Sequence, residues 1–137
     1  MKKDDCIFCK LANGEIPTTT LYEDEDFRVI LDLGPASKGH SLILPKEHYA
    51  DLTELSDELG SKVLRVAKKV GKAAMRDLKA DGFNVIQNNG ETAGQTVMHY
   101  HVHVIPRYKT GPELPLWIPG ELDPETAKEI SEKLHVK

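Results

Sequence analysis

The sequence of 137 residues has no long hydrophobic run, no excess of basic residues and only two cysteines. A membrane-spanning helix needs about eighteen or more consecutive apolar residues, so none is predicted and no membrane partner is expected. Lys2 and Lys3 are not followed by an apolar stretch, so no export signal is predicted and we expect a cytoplasmic protein. In that compartment the two cysteines are expected to be reduced or metal-bound.

The composition also limits the classes of partner. The formal net charge is −4, whereas nucleic-acid-binding proteins usually present a concentrated basic face, so nucleic acid is not expected as the main partner. A small anionic ligand remains compatible, because net charge does not describe a pocket. Hydrophobic residues make up 39% and charged residues 29%, which indicates a folded chain, and the length favours one domain over residues 1–137.

Apolar spacing and turn residues predict an α+β fold with an antiparallel sheet. Five strands are predicted, at residues 21–22, 27–32, 40–44, 83–87 and 96–105. The acidic run from Glu23 to Asp26 is predicted to be the turn of the first hairpin. Pro45 and Pro106 are expected to end the third and the fifth strand.

Two helices are predicted. The longer one follows from an apolar stripe at steps of three and four, formed by Leu59, Val63, Val66, Val70, Ala74 and Leu78. Ser56 is its predicted N-cap, and Gly82 is interpreted as its stop. A short final helix is predicted to begin at Asp123-Pro124, after an irregular segment over residues 109–120 that carries three prolines and Trp117.

Three histidines alternate along the fifth predicted strand. Because successive side chains of a strand point to opposite faces, His99, His101 and His103 should share one face, with the residues between them facing the core. Imidazoles stabilise a core poorly, so this pattern indicates a functional site. Two chemistries fit it, namely metal ligation by imidazole and nucleophilic attack by imidazole on phosphorus. The amide and hydroxyl of the preceding Gln95 and Thr96 favour phosphate chemistry.

Three segments of the chain resemble one known family. The run Gly94-Gln-Thr-Val-Met-His-Tyr-His-Val-His-Val-Ile-Pro-Arg107 is similar to the signature of the histidine triad (HIT) superfamily. Cys6-Ile-Phe-Cys-Lys10 with Glu15-Ile-Pro17 resembles its N-terminal segment, and residues 32–40 with 44–48 resemble its middle segment. The similarity covers most of residues 6–108 and is greatest to the bacterial branch related to Hint, and the tail over 109–137 is the variable part.

The resemblance implies a fold and an activity. The fold would be a single HIT-like α+β domain, with a five-stranded antiparallel meander sheet, one long helix and a short C-terminal helix, and with the sheet continued across a homodimer. The activity would be hydrolysis or transfer at the α-phosphate of purine (adenosine or guanosine) phosphoramidates or dinucleoside polyphosphates. It would proceed through a covalent nucleotidyl-histidine and release a nucleoside monophosphate. The leaving group, the base preference and the role of Trp117 stay open.

The resemblance also implies residue roles. His101 matches the nucleophile, His103 and Gln95 would stabilise the phosphoryl oxygens, and His40 and Thr96 would assist the leaving group. Asp32 would bind the ribose and Asn88 would lie near the phosphate. The loop residues beside the phosphate are Gly94, Gln95, Thr96 and Val97. The apolar residues around the base would be Phe8, Leu11, Ile30, Leu33 and Leu42. The rival hypotheses are a three-histidine metallohydrolase and a purine-nucleotide-binding regulator with incidental hydrolysis.

The Cys-x-x-Cys pair suggests a second site. By itself it fits either a redox pair or half of a zinc site, and the thioredoxin-like pattern that a redox pair wants is absent. Bacterial relatives with this pair are similar in combining it with two histidines, which implies Cys6, Cys9, His48 and His99 as ligands. Four ligands with no open position imply one structural zinc per chain that the chemistry does not require. The alternative is two buried free thiols.

Overall fold

The computed structural model describes residues 2–136. Three helices and five strands follow one another along the chain: α1 Ile7–Ala12, β1 Thr20–Glu23, β2 Phe27–Leu31, β3 Ser41–Pro45, α2 Asp57–Asp77, β4 Gly82–Ile86, β5 Val102–Arg107 and α3 Pro124–Lys133. A single 3-10 turn, Glu91–Ala93, lies between β4 and β5. No helix among these residues is long and apolar enough to cross a membrane.

The five strands form one antiparallel sheet, which confirms the predicted α+β class. The order is β1-β2-β3-β5-β4, so it departs from a strict meander in the last two strands. Because β3 and β4 are each antiparallel to β5, they run parallel to one another, and parallel strands need a crossover connection, which here is the 21-residue α2. It carries the chain past the position next to β3 and delivers β4 to the edge, and β5 then returns between them.

Helix α2 covers one face of the sheet. Its N-cap Ser56 accepts a hydrogen bond from the Leu59 N–H, as predicted. A side chain at Gly71 would meet the ring of Phe83 within 2.3 Å, so only glycine lets α2 lie this close to β4. The core on this face contains Phe27, Val29, Ile43, Leu59, Val63, Val66, Tyr100, Val102 and Val104.

Two predictions at element ends were wrong. Gly82 does not stop α2, because the helix ends at its C-cap Leu78, Lys79 takes the left-handed conformation with φ of 60°, and Gly82 begins β4. Pro106 does not end β5. It pairs with Phe83 in the register, and its carbonyl accepts from the Ser37 hydroxyl on the side away from β4. Its missing N–H is therefore not needed by the sheet.

The strand that carries the histidines also begins later than predicted, at Val102 and not at Thr96. Before that point the chain leaves the sheet, because the Tyr100 N–H donates to the Tyr49 carbonyl at 2.6 Å. The alternation nevertheless holds, since Tyr100 and Val102 face the α2 core and the histidines face the opposite side.

The opposite face of the sheet is covered by α1, a helix that the sequence reasoning did not predict. Cys6 caps it through its sulfur, which accepts from the Cys9 N–H at 3.4 Å. The cluster under it consists of Ala12, Ile30, Leu42 and Leu44, with Phe8 and Leu11 packed against it. The candidate site lies on this face.

The C-terminal segment over residues 109–136 packs little against the rest of the chain. None of its residues is buried, and Trp117 is 83% exposed. The predicted helix is present as α3, with Asp123 accepting from the Thr126 N–H as its N-cap. Trp117 is therefore not a core residue of its own chain.

Candidate active site

His101 and His103 lie side by side at the start of β5. Their ring centroids are 5.0 Å apart, and the Phe8 ring of α1 stands edge-on to His101 at 4.9 Å. His101 is only 5% exposed, and burial lowers its pKa below the ordinary value of 6.5. At neutral pH its imidazole is therefore in the uncharged form.

The hydrogen bonds of His101 determine which nitrogen is free. Its Nδ1 lies 2.7 Å from the carbonyl oxygen of His99. A carbonyl only accepts hydrogen bonds, so Nδ1 carries the proton and donates it. The lone pair of the neutral ring is then on Nε2, and His101 lines the cavity described below. This is the tautomer that a nucleophilic histidine requires.

The same reasoning fixes the tautomers of His40 and His103. The Ala36 N–H donates to His40 Nδ1 at 2.9 Å, so the proton of neutral His40 is on Nε2. That proton is donated to His103 Nδ1, 2.9 Å away, and His103 consequently carries its own proton on Nε2. Burial lowers the pKa of His103 to about 4, with His101 and His40 adding to the effect. His103 is thus a neutral hydrogen-bond donor on the cavity wall.

His40, which the resemblance placed beside the leaving group, lies behind His103. His40 is 6% exposed and does not line the cavity. Its Nε2 faces His103 and lies 3.5 Å from an oxygen of Asp32, and burial lowers its pKa despite that carboxylate. His40 therefore contacts His103 and Asp32 but not the cavity.

A cavity of about 780 Å³ opens in front of these histidines. Most of the residues predicted for the catalytic and nucleotide-binding site line it, namely Phe8, Leu11, Ile30, Asp32, Leu33, Leu42, Thr96, His101 and His103. Residues 16–19 also line it and were missed, although the Glu15-Ile16-Pro17 motif pointed to that segment. Asp32 also accepts from the Gly34 N–H at 2.8 Å, so one of its oxygens shapes the loop while the carboxylate lines the cavity.

The loop before the histidines is built differently from expectation. Asn88, Gly94, Gln95 and Val97 do not line the cavity. Gln95 is 2% exposed, its Oε1 accepts from the Gly90 N–H, and its Nε2 donates to the carbonyls of Ala50 and Val97. Gln95 has no free polar atom for a phosphoryl oxygen, so it stabilises the loop instead. Gly94, with φ of 101°, turns the chain beside Asn88.

The four proposed metal ligands come together beside α1. The donor atoms of Cys6, Cys9, His48 and His99 all lie within 4.8 Å of one another. The Nδ1 atom of His99 is 3.4 Å from both sulfurs, and the Nδ1 atom of His48 is 3.4 Å from the Cys9 sulfur. Ligands of a tetrahedral zinc ion at about 2.0 and 2.3 Å would be separated by about 3.5 Å, which these distances match.

Hydrogen bonds around this cluster favour metal ligation. His99 Nε2 donates to the Pro45 carbonyl at 2.9 Å, which leaves the Nδ1 lone pair facing the sulfurs. Cys6 and Cys9 lie at the start of a helix, which sequence reasoning had not expected. Two histidines nevertheless face the pair, and the sheet is antiparallel throughout, so a thioredoxin-like redox site does not fit.

Metal ligation by the three alternating histidines does not fit this geometry. His99 directs Nδ1 to the cysteines, and the three rings do not bring their nitrogens within 4.8 Å of one another. Asp32, His40 and His103 do cluster that closely. A metal on His40 Nε2 would, however, require a proton on Nδ1, where the Ala36 N–H already donates.

Comparison with known proteins tests the predicted family. A family model described as HIT domain matches residues 13–110. The chain belongs to the HIT domain family. It is 41% identical over 133 residues to adenosine 5'-monophosphoramidase hnt1 of Schizosaccharomyces pombe, covering 96% of this chain and 97% of that protein.

Two solved structures of HIT proteins show the same fold. A HIT family member from Bacillus subtilis superposes with a TM-score of 0.87 at 38% identity and covers 95% of this chain and 94% of its own. A zinc-bound histidine triad family protein from Mycobacterium smegmatis gives a TM-score of 0.74 at 41% identity over 77% of each chain. The predicted family is confirmed, and so is the predicted α+β fold of the single chain.

Proposed function

We propose that this HIT protein hydrolyses nucleoside 5'-phosphoramidates, or transfers their nucleotidyl group, through a nucleotidyl group on His101. The observation that carries the proposal is the free Nε2 lone pair of a neutral, buried His101 on the wall of a cavity that holds Asp32 and an apolar lining. The name of the S. pombe relative, an adenosine 5'-monophosphoramidase, supports this substrate class at 41% identity.

In the first step, His101 Nε2 attacks the α-phosphorus. A bond forms between this nitrogen and phosphorus, the phosphorus–nitrogen bond of the substrate breaks, and the amine leaves with a proton taken from water. The Thr96 hydroxyl, exposed on the cavity wall, is placed to bind the departing nitrogen. His103 Nε2–H donates to a phosphoryl oxygen, and the His99 carbonyl stabilises the positive charge that develops on the His101 ring.

In the second step, water attacks phosphorus and the bond to His101 breaks. The nucleoside monophosphate leaves, and His101 returns to the neutral form with its proton on Nδ1. Asp32 binds the ribose hydroxyls, and the purine packs on the apolar wall formed by Phe8, Ile30 and Leu42. Adenosine and guanosine both fit this proposal, and so do dinucleoside polyphosphates, whose leaving group is a second nucleotide.

The Cys6–Cys9–His48–His99 cluster would hold a structural zinc ion. The donor set is closed, so the ion would take no part in the chemistry. The ion would instead hold the backbone of His99 in place, because His99 is a member of the cluster and its carbonyl orients the His101 ring. The zinc-bound M. smegmatis relative supports the assignment.

We also propose that two chains pair along β4. This strand is an edge of the sheet, and its Val85 is 42% exposed, whereas a paired edge would satisfy its free backbone groups. Light scattering should give twice the chain mass of 15.3 kDa. Val85→Asp should yield the monomer, and Leu21→Asp, on the opposite edge strand and 51% exposed, should leave the dimer intact.

The covalent intermediate is the direct test of the proposed function. Quenching with a denaturant at alkaline pH, which preserves a phosphorus–nitrogen bond, during turnover of adenosine 5'-phosphoramidate should leave one adenylyl group on the peptide that contains His101, as read by mass spectrometry. His101→Asn should carry none. A nucleotide-binding regulator, the remaining rival, would instead bind adenosine monophosphate tightly and form no adduct while turnover stays negligible.

A further inference from the structure

A second cavity adjoins the first one. It measures about 360 Å³, and Ile7 and Thr96 line both cavities. Beyond these two shared residues its walls include Lys3, Asp5 and Met98. None of these last three residues has a part in the proposed chemistry, and none belongs to the metal cluster.

The orientation that the proposed function gives the substrate indicates what the second cavity would bind, so this role rests on the proposed function. In the proposed function the nucleoside contacts Asp32 and the apolar wall, and the departing nitrogen lies beside Thr96. The group on the other side of the phosphorus then points toward the Thr96 border. Thr96 and Ile7 form that border, so the second cavity begins where the leaving group lies.

The relative size of the two cavities limits the leaving group. The second cavity has less than half the volume of the first, at about 360 against about 780 Å³. If the first accommodates a nucleotide, the second accommodates a group much smaller than a nucleotide. This difference favours a small amine over the second nucleotide of a dinucleoside polyphosphate.

The walls of the second cavity combine apolar and charged residues. Ile7 and Met98 are about half exposed and offer an apolar surface. Lys3 is held by its backbone, because its N–H donates to the Cys9 sulfur at 3.3 Å and its carbonyl accepts from the Cys6 N–H. Among residues 2–136 the Lys3 ammonium forms no ion pair, whereas the neighbouring Lys2 pairs with Glu15 at 3.4 Å.

We propose that the second cavity is the leaving-group subsite, that it takes an amine of amino-acid size, and that Lys3 binds the carboxylate of that amine. The carbon chain of the amine packs on Ile7 and Met98. The metal cluster in the wall does not compete with Lys3, because two thiolates offset the charge of a divalent ion. Asp5 lies in the same wall and repels a carboxylate. The charges of Lys3 and Asp5 together therefore determine whether a leaving amine with a carboxylate is preferred.

The test uses the zinc-loaded full chain and three adenosine 5'-phosphoramidates, made from leucine, leucinamide and 3-methylbutylamine. Lys3→Ala should lower kcat/KM for the leucine compound about two- to fivefold, the size of an exposed ion pair, and leave the other two unchanged. Lys3→Glu should lower it further, and Asp5→Asn should raise it. Lys2→Ala is the matched control and should change none of the three.

A second variant tests the place of the subsite independently of charge. Met98→Trp fills the cavity, so it should raise KM for all three substituted amides. It should leave unsubstituted adenosine 5'-monophosphoramidate unaffected, since ammonia needs no subsite. Equal effects of Lys3→Ala and Lys2→Ala, or no effect of Met98→Trp, would overturn the subsite while continued turnover upholds the proposed function. Absence of turnover of every phosphoramidate by the wild type would overturn both.

Discussion

His99 and His101 are two residues apart, and their rings use opposite nitrogens. His99 donates from Nε2 to the Pro45 carbonyl and presents Nδ1 to the cysteines. His101 donates from Nδ1 to the His99 carbonyl and keeps Nε2 for the cavity. The same side chain thus presents a free lone pair to the cysteines at one position and to the cavity at the other. The difference lies in which nitrogen a backbone carbonyl occupies.

The largest effect is expected from His101→Asn, which should abolish turnover without affecting the metal site. Asn places an N–H where the imidazole Nδ1–H lies, so His101→Asn keeps the bond to the His99 carbonyl and removes Nε2. We expect kcat to fall by at least about 10³-fold, because no covalent path remains. Zinc content, read by mass spectrometry of the metal, should stay at one ion per chain. Turnover within tenfold of the wild type would falsify the nucleophile assignment.

At His48 we expect the metal site to be lost instead, because this proposed ligand belongs to the metal cluster and lines the second cavity but not the first. His48→Ala should lose most of the bound zinc and lower Tm by several degrees, because the ion links α1 to the segment that carries His99. His135→Ala, at an exposed position near the C-terminus, is the control and should change neither quantity. Zinc below a tenth of an equivalent in the purified wild type would contradict the site itself.

A smaller effect is expected at His40, which contacts His103 but does not line the cavity. His40→Leu removes the donor to His103 Nδ1, so His103 no longer holds one tautomer, and we expect kcat to fall about tenfold, or about 1.4 kcal/mol. Gln can place an N–H near the Nε2 position, so His40→Gln should stay within about threefold of the wild type. Equal losses in both variants would show that His40 acts by packing alone.

The smallest effect is a shift along the pH axis. Burial lowers the pKa of His101, only partly opposed by its bond to the His99 carbonyl and by Asp32, so the nucleophile should stay neutral somewhat below pH 6.5. The acid limb of kcat/KM should therefore have its midpoint below 6.5, with activity rising with pH through that point. A midpoint at or above 6.5 would contradict the burial argument.

Stability should change with pH in the same direction. His103 has a pKa of about 4 in the folded chain and about 6.5 when unfolded. Between these values the unfolded chain binds more protons, so the free energy of unfolding should decrease as the pH falls from 6.5 toward 4. Urea unfolding at several pH values measures this directly, and His103→Asn should reduce the slope.

The sequence predicted the parts of this molecule that depend on neighbouring residues. The stripe of α2, its Ser56 cap and the alternation around His101 are local patterns, and all three are present. The predicted start of the histidine strand at Thr96 was wrong, because the Tyr49 carbonyl binds the Tyr100 N–H and is distant in sequence. Helix α1 was missed because its six residues show too little periodicity and its cap is a cysteine sulfur.

Some site residues were likewise predictable from local sequence, whereas others depend on contacts that are distant in sequence. Nine of the residues that motif similarity predicted for the site line the cavity, because the motifs fix their residue types and their order in the chain. Gln95 and His40 were expected to contact the substrate, and neither lines the cavity. Gln95 binds three backbone groups, and His40 binds Ala36 and His103, and neither set of partners can be read from spacing.

By itself, the sequence determined that three imidazoles would share one face and that two cysteines would stand three residues apart. Only the tertiary structure decided what each imidazole does. The acceptor that fixes the His99 tautomer, the Pro45 carbonyl, lies 54 residues away in the chain. A neutral imidazole has two nearly equivalent nitrogens, and a single hydrogen bond from one of them is enough to decide which nitrogen presents its lone pair.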